Sequence, residues 1–107
     1  LIIGKLRHLV KLQSSDDAMS DYGEETKTWV TDESIFASIE PIRGRELLEF
    51  DQMGAEISHR IIIRNTDNAT PAKRILWGVR IFDINVVRKI EERNIMMELL
   101  CKEKVVV

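Results

Sequence analysis

At 107 residues the chain has room for one domain and one core, burying somewhat over ~60% of the surface its unfolded form exposes. Apolar residues at 44% can fill that core. Charged residues at 32% exclude wholesale disorder, and a net charge of −2 argues against a dedicated nucleic-acid binder, which needs clustered Lys and Arg.

Gly4 to Gln13 reads as a first strand, with Leu6, His8, Val10 and Leu12 on one face and Arg7, Leu9, Lys11 and Gln13 on the other. Residues 14–27 are polar, contain Gly23 and hold five acids against one terminal Lys, which predicts a mobile acidic loop. Thr28 to Ile39 resumes strand character through Trp29, Val30, Ile35, Phe36, Ala37 and Ile39, with a candidate break at Thr31–Ser34, and Pro41 closes it. The period then changes. Leu47, Phe50 and Met53 recur at helical spacing beside Leu48, predicting an amphipathic helix over 43–55 with those four as its buried stripe and Gly54 at its end.

Alternation returns at Ile57–Arg64, and Asn65–Pro71 is turn-rich. Lys73–Trp77 is a short strand, Gly78 a tight turn, and Val79–Lys89 the next strand. Glu91–Asn94 reverses the chain into Ile95–Lys102. Six short strands joined largely by tight turns favour a small antiparallel barrel or sandwich, and residues 1–107 form a single domain.

Chemistry is hard to find along this pattern. The sequence carries no Gly-rich phosphate loop, no paired Cys or His at metal spacing and no nucleophile elbow, so no catalytic, cofactor or metal residue is assigned and an enzyme is not expected. His8 and His59 read as half-buried strand residues rather than ligands. Asp16, Asp17, Asp21, Glu24 and Glu25 lack the alternating spacing of a calcium loop. Trp29 and Trp77, without a basic groove, read as packing residues. Cys101 has no cysteine partner, which fits a reducing compartment, and its apolar neighbours make it a buried strand thiol. No apolar run is long enough for a membrane span; Leu1-Ile2-Ile3 is too short for a signal peptide, and the absence of an initiator Met points to a trimmed or processed start.

Charge is distributed unevenly. Residues 1–56 carry six basic and twelve acidic side chains, a net −6, and residues 57–107 carry ten and six, a net +4. Scattered solvated faces are the plain reading; an acidic side meeting a basic side in head-to-tail self-association is the sharper one.

Several local patterns fall into one order: Gly4-Lys5-Leu6-Arg7-His8 running to Leu12-Gln13, an acidic loop ending at Gly23, Thr28-Trp29, and Ile35-Phe36-Ala37-Ser38-Ile39-Glu40-Pro41. Gly44-Arg45-Glu46 opens a helix reaching Gln52 and Ala55, and Ser58-His59-Arg60-Ile61-Ile62-Ile63-Arg64, Arg74-Ile75 and Phe82-Asp83-Ile84 follow. In order, spacing and length this resembles the phage head–tail joining family, also called head-tail adaptor or head-completion stopper proteins. Thr66–Pro71 and the valine-rich end depart from the pattern.

The resemblance implies a mainly β fold, a small six-stranded antiparallel β-barrel with one short α-helix. It also implies a homo-oligomeric ring beneath the portal that closes the DNA channel after packaging and offers the tail a docking surface. The implied partners are further copies of the chain, a portal or adaptor protein on the head side and a tail-completion protein on the tail side. DNA is met only in passage, no membrane is involved, and the setting is the virion neck after assembly in the bacterial cytoplasm. It places the channel gate in the Pro41–Glu56 region, with Arg43, Arg45, Glu46 and Glu49 as candidates. The charge asymmetry makes Asp16, Asp17, Glu24, Glu25, Arg60 and Arg64 candidate subunit-interface residues. The alternative is a monomeric oligonucleotide-binding barrel of the OB type, which needs a basic groove with exposed aromatics.

Overall fold

The computed structural model describes residues 6–19, 25–90 and 95–104. Its elements are β1 (His8–Met19), β2 (Glu25–Pro41), α1 (Gly44–Gln52), β3 (His59–Arg64), β4 (Arg74–Trp77), β5 (Arg80–Lys89) and β6 (Met96–Lys104). The strands close into a barrel in the order β1-β2-β3-β6-β5-β4, each pair antiparallel, so the predicted mainly β, six-stranded barrel with one short helix is the observed fold.

Strand alternation builds the core directly. Val10 and Leu12 on β1, Ile61 and Ile63 on β3, Ile75 on β4, Phe82 and Ile84 on β5, and Leu99 and Cys101 on β6 point inward and are buried. The intervening residue on β1 faces out, and Leu9 is 57% exposed. Gly78 and Val79 join β4 to β5 across the Trp77–Arg80 pair. Gly78 has φ +62° and takes the first position of a type II′ turn, whose twist matches the flanking strands.

Two bulges interrupt the ladders, and each re-aims a side chain. Register slips between Leu12–Glu33 and Gln13–Thr31, leaving Asp32 as the extra residue. The Ser14 hydroxyl donates to Asp32 at 3.0 Å, and the Lys73 ammonium lies 3.4 Å from it. The expected break at Thr31–Ser34 is therefore this bulge within one continuous strand. The second falls at Asn85, between Ile84–Cys101 and Val86–Leu100.

The structure corrects the sequence reading in three places. Ser14–Met19 and Glu25–Lys27 are not loop: they pair in register as a two-stranded extension of β1 and β2, from Ser14–Val30 out to Met19–Glu25. A two-stranded ribbon needs backbone hydrogen bonds, not buried apolar area, so an acidic composition does not forbid it. Residues 20–24, the remainder of the expected loop, lie outside the described residues, as does the Glu91–Asn94 reversal. The first strand begins at His8, and residues 4–5 of its expected start also lie outside them.

The helix is shorter than 43–55, and its expected stripe is only half right. No residue of α1 is fully buried; Leu47 and Phe50 pack inward, whereas Leu48 and Met53 are 57% and 71% exposed. Helical periodicity marks an apolar face without showing how much of it a neighbour covers.

Replacing Phe82 by Ala should cost about 3–5 kcal/mol in urea unfolding, while Leu48→Ala should stay within about 0.5 kcal/mol. Equal losses would mean that the helix carries as much of the core as the barrel does.

Candidate functional site

Between Pro41 and Ser58 the chain leaves the barrel, forms α1 and returns. The amide of Ile42 donates to the Ser58 carbonyl at 3.0 Å and ties the neck of this excursion. Gly44, at φ +62°, turns the chain into the helix. Gly54, at φ +75°, ends it in a Schellman closure, with the Ala55 amide on the Phe50 carbonyl at 2.9 Å and the Gly54 amide on that of Asp51 at 3.1 Å. The excursion packs on the outer face of β6, where Ile42, Ile57 and Leu100 form a satellite core flanked by Leu47, Phe50 and Ala55.

An ion cluster fastens the helix from its other side. Arg60, on β3, reaches Glu46 of α1 at 2.5 Å, Glu98 of β6 at 2.8 Å and Glu40 of β2 at 3.7 Å. Arg88 of β5 closes on the other oxygen of Glu98, its Nε at 2.8 Å. The Glu46 hydrogen bond first, with the charges of Glu98 and Glu46, holds the guanidinium above its ordinary range against its partial burial. Beyond the helix, the Asn85 side-chain amide, re-aimed by its bulge, donates to the Glu56 carbonyl at 3.0 Å, and Lys102 binds the Glu56 carboxylate.

This geometry distributes the candidate residues unevenly. Arg43, Arg45 and Glu49 are exposed on the excursion, and Glu46 is half-buried against Arg60. A candidate gate residue and a candidate interface residue thus form one pair within the subunit. Arg64 is exposed at the end of β3. Asp16 and Asp17 lie on β1 opposite Thr28 and Lys27, Glu25 opposite Met19, and Glu24 lies outside the described residues.

A second outer surface lies over β4, β1 and β2. Leu9 and Phe36 are register partners, both more than half exposed. Leu9, Lys11, Ser34, Leu76 and Gly78 line a hollow of about 160 Å³, and Val79 at the adjoining turn is 90% exposed. On the far side of Phe36 a wider hollow of about 340 Å³ runs to Glu33, Ile35, Arg64 and Asn65.

The remaining polar groups are built into the frame. Gln13, nearly buried at the foot of the β1–β2 ribbon, donates to the Thr31 hydroxyl at 3.2 Å and accepts from Arg74 at 2.8 Å; the Arg74 guanidinium lies 4.0 Å above the Trp29 ring. Trp77 stacks on His8 at 4.4 Å, with the Arg80 guanidinium 5.2 Å from its ring. Both Trp rings are thus engaged within the subunit. His59 packs edge-on to Phe82 at 5.0 Å, with Nδ1 2.9 Å from the Ser58 hydroxyl, which itself accepts the Glu103 amide at 2.7 Å. Burial lowers the His59 pKa below its ordinary 6.5; the Glu103 charge opposes that shift and the Arg80 charge adds to it. Burial raises the Cys101 thiol far above its usual range, helped by the charge of Asp83.

Comparison with known proteins fits this architecture. The family model described as phage head completion protein matches residues 1–104. The chain belongs to the phage head completion protein family. Head completion is a structural task, and the chain is accordingly a structural, virion-associated phage protein. Among solved structures, the protein SF1141 from Shigella flexneri 2a shares its fold at a TM-score of 0.72 and 24% identity, covering 96% of each chain. A chain in the virion of a native gene transfer agent particle does so at 0.64 and 16%, covering 94% of this head completion protein and 97% of that chain. No curated protein matches the sequence.

Sequence reasoning missed the Arg60 cluster. Its signal, a basic residue beside the apolar run Ile61–Ile63, was present, but its hydrogen-bonded partners Glu46 and Glu98 lie 14 and 38 residues away. Arg60→Ala should destabilise the protein by about 1–2 kcal/mol, a range kept low because Glu46 is 43% exposed and solvent-screened. Arg64→Ala should change stability by less than about 0.5 kcal/mol in the same urea titration.

His59 gives a pH test. Its native pKa lies below the unfolded value, so the unfolded state binds the proton first. Stability should be complete above the unfolded pKa and fall with pH from there down through the native pKa. Between about pH 7.5 and about pH 5.5 the urea midpoint should drop, and His59→Gln should flatten that slope. An unchanged slope in the variant would assign the drop to other groups.

Proposed function

We propose that the protein assembles as a homo-oligomeric ring beneath the portal, closes the DNA channel once the head is filled, and presents the surface to which the tail attaches. Membership of the head completion family across residues 1–104 carries this reading. A chain of the same fold in a gene transfer agent virion supports it. The neighbours are further copies of the chain, a portal or adaptor protein above and a tail-completion protein below, and assembly takes place in the bacterial cytoplasm. The OB-type alternative needs free aromatic platforms in a basic groove, whereas Trp29 and Trp77 are occupied by Arg74, His8 and Arg80.

The excursion from Pro41 to Glu56 supplies the gate. Its entry turn, Arg43-Gly44-Arg45, is exposed, and Glu49 follows one turn along the helix. The Arg60 cluster and the satellite core hold the helix in one position on the barrel, so the entry turn is presented to the channel by a fixed support. Arg60 and Lys102 neutralise Glu46 and Glu56, so exposed Glu49 and Asp51 balance Arg43 and Arg45 and the excursion does not grip DNA phosphates, which suits a channel through which DNA must later slide.

A prophage able to make virions provides the test. Deleting Arg43–Arg45, or reversing Glu49 to Lys, should leave heads that fill but leak DNA or fail to join tails. Filled heads that retain DNA and join tails as well as the parent would remove this segment as the gate, and micrographs of necks lacking a ring of this protein would remove the ring.

A further inference from the structure

The barrel order sets two unlike surfaces opposite each other. The Leu9–Phe36 surface is centred on β1, and three strand steps around the barrel in either direction reach β6, whose outer face carries α1 through Leu100. One surface is concave, the 160 Å³ hollow beside Leu9, whose register partner is Phe36. The other is convex, with Leu48 and Met53 exposed on and just beyond the helix. A hollow near that volume accepts a benzene-sized group, so a Leu or Met side chain fits it.

Charge agrees with shape. Arg7, just before β1, and Lys11, on its outward row, flank Leu9 in the sequence, and Arg64 stands beyond Phe36; all three are exposed. Asp51 is exposed between Leu48 and Met53. Among the described residues none of these four charges enters an ion pair within the subunit.

We infer that the occupant of the hollow is a second copy of this chain: Leu48 and Met53 of one subunit seat against Leu9, Phe36 and Val79 of the next, with Asp51 facing Lys11. Opposite, non-identical surfaces make this a heterologous contact, the kind that propagates from copy to copy and forms a ring when the rotation between neighbours closes. The inference rests on the ring reading and names its seam. It assigns the C-terminal half of α1 to the neighbour and leaves the entry turn at Arg43–Arg45 free for the channel.

Sedimentation velocity over a concentration series, together with micrographs of necks from virions carrying the same variants, tests it. Phe36→Asp and Leu48→Asp should each keep the parent melting temperature and weaken self-association about ten- to a hundredfold. Each variant retains one good surface, so an equimolar mixture should form dimers that grow no further. Lys11→Glu should weaken assembly, and Asp51→Lys in the same chain should restore it. Association and necks untouched by these variants would place the seam elsewhere while the ring stands. Variants that lose self-association yet fail to pair when mixed would show that the two surfaces do not meet. Parent virions without a ring of this protein would overturn the ring itself, and the seam with it.

Discussion

Closure of the barrel rests on three residue pairs between β1 and β4: Lys11–Leu76, Leu12–Ile75 and Gln13–Arg74. The central pair places Leu12 and Ile75, both fully buried, side by side in the core. The flanking pairs face outward and do different work. Lys11 and Leu76 line the hollow on one side of the seam, while Gln13 and Arg74 brace the foot of the β1–β2 ribbon on the other. Closure also removes the strand edges that an open sheet of this length would offer for uncontrolled pairing. The ribbon is where pairing continues past the closed wall, and the overall extents of 50 × 31 × 26 Å show how far the molecule departs from a sphere.

Across the barrel, β6 carries the second appendage. Leu99 and Cys101 turn into the core and Leu100 turns out, so one strand serves two apolar clusters. An outward Leu in a strand would ordinarily be wasted area. Here it anchors α1, and Arg60 and Glu98 supply the polar half of the same attachment. The helix is short and fully buries none of its residues, so its own propensity cannot hold it. Its position depends on the β3–β6 pairing beneath it.

Alternation made the inward rows legible: Val10 with Leu12, and Ile61 with Ile63, follow from the sequence because strand period is fixed by backbone geometry. The Gly78 turn was equally readable, since only a left-handed residue suits that position of the hairpin. What could not be read depends on distant partners. The exposure of Leu48 is decided by what the barrel lacks beside it, and Arg60 finds its carboxylates on three separate elements. The ribbon was misread for a different reason. A polar composition argues against a buried strand, but the pairing of Ser14–Met19 with Glu25–Val30 is made by the backbone, which composition does not report.

The charge asymmetry between the two halves of the sequence takes on a different meaning in three dimensions. Four of the ion pairs join an acid from residues 1–56 to a base from residues 57–107: Glu40 and Glu46 with Arg60, Asp32 with Lys73, and Glu56 with Lys102. Part of the imbalance is therefore neutralised inside the subunit, where it binds the excursion and the β2 bulge to the second half of the barrel. Arg60 is consumed in this way, whereas among the described residues Lys11, at the hollow beside Leu9, and Arg64, at the wider hollow beside Phe36, enter no ion pair within the subunit. Exposed charges of this kind are screened over about 8 Å at physiological ionic strength, so they steer and orient a contact more than they hold it. In the proposed ring, adhesion between copies then falls to the apolar residues that the fold leaves uncovered, and Leu9, Phe36, Leu48 and Met53 are prominent among them.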